Sequence, residues 1–331
     1  MAEHLSDKLR EFLATAEGKV VDLTYLRREL HIDPNSPADA NLRTLLSVNL
    51  VKEKIVRPSG KKDGIYRVIK QVAPIDVFGE PLSEPINLMF PRDFETMMEM
   101  SFAEDLIIRG GDLILISGRS NYGKTQMCMS FAGENIDSNP VLMGNEYTTL
   151  ENKPTPRFLN RIKNMDWIKW QTEDNKQKFT LLPVRNDYAE HIIKDRINII
   201  DWINIDTGEH YMIGTIMESI KRELGRGIGI IAIQKAEGAE AGRGGQFTKD
   251  FADVEILLDK LPESDDVLLT LGKVKESKCR AIGRTFAYGI FQGVKIMNFR
   301  EIAKCKNCFG KGWRNGKPCE DCNKSGYINK H

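Results

Sequence analysis

Residues 111–129 read Gly111-Asp-Leu-Ile-Leu-Ile-Ser-Gly118-Arg-Ser-Asn-Tyr-Gly123-Lys124-Thr125-Gln-Met-Cys-Met129. The order is an apolar run, a glycine-bounded loop and a helix-compatible segment. Residues 113–116 have the unbroken aliphatic character of a strand buried on both faces. Gly118, Gly123, Lys124 and Thr125 satisfy G-x-x-x-x-G-K-[ST] at every specified position, with a strand before and a helix after. Glycine lets such a loop curl until the backbone N–H groups of Arg119, Ser120, Asn121 and Tyr122 converge on phosphate oxygens. The following helix adds its free N–H groups and the positive end of its dipole. Lys124 is placed to reach the β- and γ-phosphates, and the Thr125 hydroxyl to ligate Mg²⁺. This stretch is read as a nucleotide-phosphate site.

Around it, the totals are permissive. A length of 331 residues suits two or three domains, and 41% apolar with 29% charged residues allows a sizeable core. A net charge of +1 exerts no global pull on nucleic acid or membrane, so any basic surface must be local. The opening Met-Ala-Glu-His-Leu-Ser-Asp has no basic start and apolar run, and no apolar run nears the ~20 residues that cross a bilayer. A cytoplasmic chain with no membrane partner is expected. Of six cysteines, four form two C-x-x-C pairs near the end, a metal-binding pattern for a reducing compartment. The five histidines fall in no metal or triad spacing.

Residues 1–70 read as a small domain. Leu5, Leu9, Phe12 and Leu13 keep helical spacing, as do Leu23, Leu26 and Leu30. A third helix over 38–50 carries Leu42, Leu45, Leu46 and Leu50 on one face, with Asn49 a polar flaw in the stripe. Two short strands, 54–57 and 65–69, flank the turn Pro58-Ser-Gly-Lys-Lys-Asp-Gly64. Three helices and a hairpin resemble the winged-helix variant of the helix-turn-helix. That resemblance implies DNA contact through Arg43 on the third helix and Arg57, Lys61 and Lys62 near the wing, with Asp39 opposing. A winged helix that binds protein, or merely packs, fits the same pattern. Residues 71–92, interrupted by Pro74, Gly79, Pro81, Pro85 and Pro91, read as an extended linker.

Residues 93–300 alternate strands and helices, the signature of an α/β fold with a mainly parallel sheet covered on both faces. Strands read over 140–146, 197–201 and 229–234 end on Glu146, Asp201 and Gln234. Because ligands of open α/β sheets lie beyond the carboxyl ends of the strands, these residues are expected beside the 118–125 loop. There Asp201 suits a carboxylate that orients Mg²⁺ and its waters. Glu146 suits the general base for an attacking water, and Gln234 a sensor of the γ-phosphate. A solvated strand-end charge, a turn cap and a loop hydrogen-bonder are the respective alternatives.

Together these segments resemble the RecA-type core of P-loop ATPases, DnaB-type replicative helicases first and KaiC- and RadA-like ATPases next. The resemblance implies ATP and Mg²⁺ as cofactors, hydrolysis between subunits of a ring or filament, and single-stranded DNA as partner in replication or recombination. The compact layout suggests a phage or mobile-element origin, with a bacterial one as the alternative. The resemblance also implies that the loop after Gln234 touches DNA, offering Lys235, Arg243 and Lys249 beside Glu237 and Glu240. Phe251-Ala-Asp-Val-Glu-Ile-Leu-Leu258 resembles the family's aspartate-then-strand segment. Where DnaB-type helicases carry a K-x-R pair acting on the neighbour's γ-phosphate, this chain has Lys273-Val-Lys275, with Arg280 and Arg284 as substitutes. Two other readings stay open: an ATP-binding switch such as a winged-helix regulator or loader, and a filament-forming recombination mediator.

The tail holds Cys305-Lys-Asn-Cys308 and Cys319-Glu-Asp-Cys322, a set suited to a closed tetrahedral Zn²⁺ site whose metal folds the segment. Disulfides or a redox site are the alternatives. The run from Cys305 to Gly312 resembles one unit of the DnaJ-type cysteine-rich domain, and Cys322-Asn-Lys-Ser-Gly326 departs from it. Residues 301–331 carry a net charge of +4 with Trp313 and Tyr327 among them, which suits a nucleic-acid contact or a protein-docking finger.

Overall fold

The computed structural model describes residues 2–59, 63–70, 72, 78, 84–203, 212–235 and 246–330, with the side chains of 2–4 and 246–248 excepted. The chain divides into two units, Met1–Pro81 and Leu82–His331.

In the first unit, helix α1 (Ala2–Thr15) buries Leu9 and Leu13, as their spacing requires. A strand the sequence pattern did not announce, β1 (Val20–Asp22), follows. Its last residue, Asp22, caps α2 (Leu23–Glu29) by accepting the Tyr25 N–H at 2.7 Å. Helix α3 (Pro37–Thr44) opens on Ser36, which accepts the Asp39 N–H, with proline in the first turn where no N–H is needed. The chain then widens into a π-helical turn, Leu45–Asn49, before α4 (Leu50–Lys52). That extra residue per turn explains the flaw in the stripe: Leu42, Leu45, Leu46 and Leu50 are buried while Asn49 is carried out to solvent. Strands β2 (Val56–Pro58) and β3 (Ile65–Val68) pair antiparallel, and β1 joins the other side of β3. Asp39 does not oppose phosphate from the surface. It is buried against Arg27 (2.7 Å) and Arg43 (3.2 Å), and the Arg27 guanidinium holds its carboxyl down to about 2.

In the second unit, residues 84–92 lie on its core. The Ile86 N–H donates to the Ile108 carbonyl, and Phe90 packs against Phe102 and Phe131. Six parallel strands form one side of the sheet, out to its β6 edge: β4 (Leu113–Gly118), β5 (Val141–Met143), β6 (Thr180–Leu182), β7 (Ile197–Ile200), β8 (Ile228–Gln234) and β9 (Val254–Lys260), in spatial order β9-β4-β8-β7-β5-β6. Alternate residues of β4 face opposite layers. Ile114 and Ile116 pack with Met127 and Phe131 of α5 (Lys124–Glu134), while Leu113 and Leu115 pack with Ile213 and Met217 of α7 (Met212–Glu223). Between these helices in sequence, α6 (Pro156–Asn164) starts at the Thr155 cap; the short α8 (Gln246–Phe251) precedes β9.

The sheet does not stay parallel. Strands β10 (Val267–Val274), β11 (Thr285–Phe291) and β12 (Lys295–Lys304) extend it antiparallel beyond β9. Their connections are too short for the crossover a parallel pair needs, a length signal that the alternation pattern alone does not register. The hairpin of β13 (Trp313–Arg314) and β14 (Lys317–Pro318) stands apart, and β15 (Tyr327–Asn329) returns to pair with β12 as the tenth strand. Among the described residues no helix is long and apolar enough to cross a membrane.

Candidate nucleotide site and cysteine cluster

Strand β4 lies between β8 and β9, so Gly118 is level with Gln234 on one side and Leu258 on the other. The loop that follows turns into α5 at Gly123, which has φ +84° and leaves only 2.8 Å between an added Cβ and the Ile290 side chain. A side chain there would be strained in the left-handed conformation and would press on Ile290, so the position favours glycine. No side chain caps α5, so its first N–H groups face the loop. Lys124 is 9% exposed, and its Nζ donates to the Arg119 carbonyl at 2.8 Å. Burial lowers the pKa of Lys124, and the charges of Asp201 and Glu146 oppose that shift.

Asp201 follows β7 and is wholly buried, and among the described residues no hydrogen bond of ordinary geometry reaches either carboxylate oxygen. Burial pushes its pKa up to about 7, although the neighbouring Thr125 hydroxyl favours the ionised form. Two unpartnered oxygens on a buried carboxyl are costly unless a cation or its waters face them. The donor set therefore fits a hard divalent ion shared with Thr125.

Glu146 comes from the loop after β5. Gly144, at φ +126°, lies so close to the Asp201 backbone that any Cβ would overlap it. The Glu146 N–H also approaches the Asp201 carbonyl at 3.4 Å, so the two acidic strand ends are tied through their backbones. The Glu146 carboxylate stands 3.8 Å from Arg161. Gln234, at the end of β8, donates to the Ser120 hydroxyl at 2.7 Å and so links the end of β8 to the loop after β4. Lys124, Thr125, Glu146 and Gln234 line one cavity of about 400 Å³, together with Ser120, Asn121 and Gly123. Arg157 and Arg161 line it too. Sequence reading missed this pair. Its only signal is an i, i+4 spacing of arginines on α6, and nothing local says which way that face points.

The remaining candidates are placed elsewhere. Because β10 runs antiparallel, Lys273 is level with Glu255 near the start of β9, at the sheet edge away from Gly118. Lys275 pairs with Asp253 at 2.9 Å, and Lys273 donates to the Lys249 carbonyl at 2.6 Å. Arg284 is clamped between Asp105 and Glu301. Arg280 is exposed and has no ion pair among the described residues. Lys235 is buried and paired with Asp259, so it offers no free charge to a nucleic-acid phosphate. Lys249 reaches the buried Glu255 at 3.6 Å. Arg57 is exposed on β2, and Arg43 is held by Asp39. Lys61, Lys62 and Arg243 lie outside the described residues.

The four tail cysteines converge, with one sulfur from each lying within 4.8 Å of the others. Cys305 and Cys319 sulfurs are 3.8 Å apart and those of Cys308 and Cys322 3.6 Å. Those spacings match the ~3.8 Å edge of a tetrahedron with metal–sulfur bonds of about 2.3 Å. All four cysteines are free thiols rather than disulfides, and they alone form the local core. The two halves are conformationally equivalent despite their sequences. Phe309, Gly310 and Gly312 have φ of +53°, +81° and +73°; Asn323, Lys324 and Gly326 have +48°, +67° and +76°. The Gly312 N–H donates to the Cys308 sulfur at 3.2 Å and the Gly326 N–H to the Cys322 sulfur at 3.3 Å. Lys324 thus occupies in left-handed conformation the place where the first knuckle has glycine.

No protein-family model matches the chain, and no curated protein matches it. Among solved structures, the chain is similar to the crystal structure of the RadB recombinase at 13% identity and a TM-score of 0.42, over 57% of this chain and 91% of that one.

Proposed function

We propose that the chain is an ATP hydrolase of the RecA/DnaB-like class, which assembles as a ring or filament and uses ATP to move or remodel DNA in replication or recombination. One observation carries the reading: Lys124, Thr125, Glu146 and Gln234 line a single cavity, with the unpartnered carboxyl of Asp201 buried beside Thr125. In this reading residues 1–70 are a winged helix, 71–92 a linker whose part from residue 84 on packs on the core, 93–300 the ATPase core and 301–331 a zinc ribbon.

The residues divide the work. Backbone N–H groups of 118–125 and the Lys124 ammonium hold the phosphates, and Lys124 exchanges the Arg119 carbonyl for them. Thr125 and Asp201 are the groups that would hold Mg²⁺, which when bound neutralises charge on the β- and γ-phosphates. Glu146 takes the proton of the attacking water, and Arg161 keeps its carboxylate in place. Gln234 reports the γ-phosphate through Ser120 to the segment after β8. Arg280, exposed and without an ion pair among the described residues, is the cation we assign to a neighbouring subunit's nucleotide. Cys305, Cys308, Cys319 and Cys322 would hold Zn²⁺, which when bound supplies the tail with folding free energy.

The test is the ATPase rate of the parent and of Lys124→Ala with and without single-stranded DNA. Several-fold stimulation of the parent and an inert variant are expected. Turnover indifferent to any nucleic acid would sink the motor reading.

A further inference from the structure

We infer that the cysteine-bound tail carries a stacking surface for single-stranded nucleic acid, centred on Phe309 and Trp313. Phe309 is 80% exposed and sits at φ +53°, a conformation that bulky side chains rarely adopt. The equivalent position of the second knuckle is Asn323, a residue that tolerates left-handed backbone well. Folding therefore gains nothing from a phenyl ring at this tip, either in burial or in backbone preference. Trp313, four residues on, is 49% exposed on the β13–β14 hairpin, and the Lys324 ammonium of the second knuckle stands 5.7 Å from its ring centre.

The charge around these rings selects the partner. Lys306, Lys311, Arg314 and Lys317 are exposed, and among the described residues none of them forms an ion pair. Of the nearby acids, Asp321 is engaged by the Asn307 amide. Rings set among unpaired cations match the phosphate-tracking, base-stacking surfaces of single-strand binders. The centre of a protein interface is instead depleted in lysine. A duplex would leave both rings without a base face to stack on. This surface lies outside the proposed nucleotide site and does not depend on it.

The test measures affinity of the full, zinc-loaded chain for fluorescein-labelled oligo-dU and oligo-rU without nucleotide, with metal content determined for every variant. Phe309→Asn, the residue the second knuckle already uses, and Trp313→Ala are each expected to weaken binding about ten-fold at one zinc per chain. Lys311→Ala is expected to reduce the salt slope by about one. Lys124→Ala, which disables the proposed ATP site, should bind the oligonucleotides like the parent. Equal effects on the two oligonucleotides assign the surface to single strands in general, and a difference between them identifies which sugar it prefers. Parent-like affinity in both ring variants at full zinc content would overturn the inference and leave the surface to a protein partner.

Discussion

Asp201→Asn tests the buried carboxyl in a direction opposite to ordinary intuition. In the folded chain burial raises this group from 3.8 to about 7. As pH rises from about 4 to 7 the unfolded chain ionises Asp201 while the folded chain keeps its proton, so the folded state loses stability across that window. Three pK units at about 1.4 kcal/mol each set a cost approaching ~4 kcal/mol at pH 8. Asparagine fills nearly the same volume and cannot ionise. The variant should therefore be the more stable protein in EDTA at pH 8, with its advantage growing by roughly 2–3 kcal/mol between pH 5 and pH 8. All four tryptophans, at 167, 170, 202 and 313, lie in the second unit, so urea unfolding followed by their fluorescence reports on the domain concerned. Excess Mg²⁺ and ATP should stabilise the parent more than the variant, and the variant should not hydrolyse ATP, a trade of stability for activity. A variant no more stable than the parent at pH 8, or an advantage that does not change with pH, would refute the reasoning.

Glu146→Gln should keep ATP binding within a few-fold and cut hydrolysis by about 10²–10⁴, the worth of a general base, in a single-turnover assay. Gly144→Ala forces a Cβ into the Asp201 backbone at φ +126° and should cost roughly 2–4 kcal/mol in urea unfolding while lowering the ATPase rate. Cys305→Ser should reduce bound zinc from about one per chain to none, and the amides of β15 should then exchange freely with deuterium while those of β4 stay protected.

The loop after β4 is legible because its signal is local: glycines free its backbone, and Lys124 and Thr125 at fixed spacing bring an ammonium and a hydroxyl to it within one turn. Asp201 and Gln234 are legible for a related reason, since each ends an apolar strand and strand ends of a parallel sheet share an edge. What the sequence hides depends on distant parts of the chain. Arg161 reaches the cavity only because α6 is anchored by Thr155 and packs Phe158 against Tyr147. The antiparallel limb from β10 to β12 carries Lys273 to the far edge of the sheet, a consequence of connection length rather than of the strands' own composition. The second cysteine knuckle looks irregular in sequence and regular in structure, because Lys324 adopts the backbone conformation that glycine supplies in the first.

The central claim is that the strand ends around Lys124 grip a triphosphate together with its magnesium. Titration calorimetry with a non-hydrolysable ATP analogue tests it most directly, for the parent and Lys124→Ala, with and without Mg²⁺. The parent should bind one nucleotide per chain, more tightly with Mg²⁺, and Lys124→Ala should bind at least ~100-fold more weakly, about the loss of one charge-assisted contact pair. Equal affinity in the two proteins, or binding indifferent to Mg²⁺, would contradict the account.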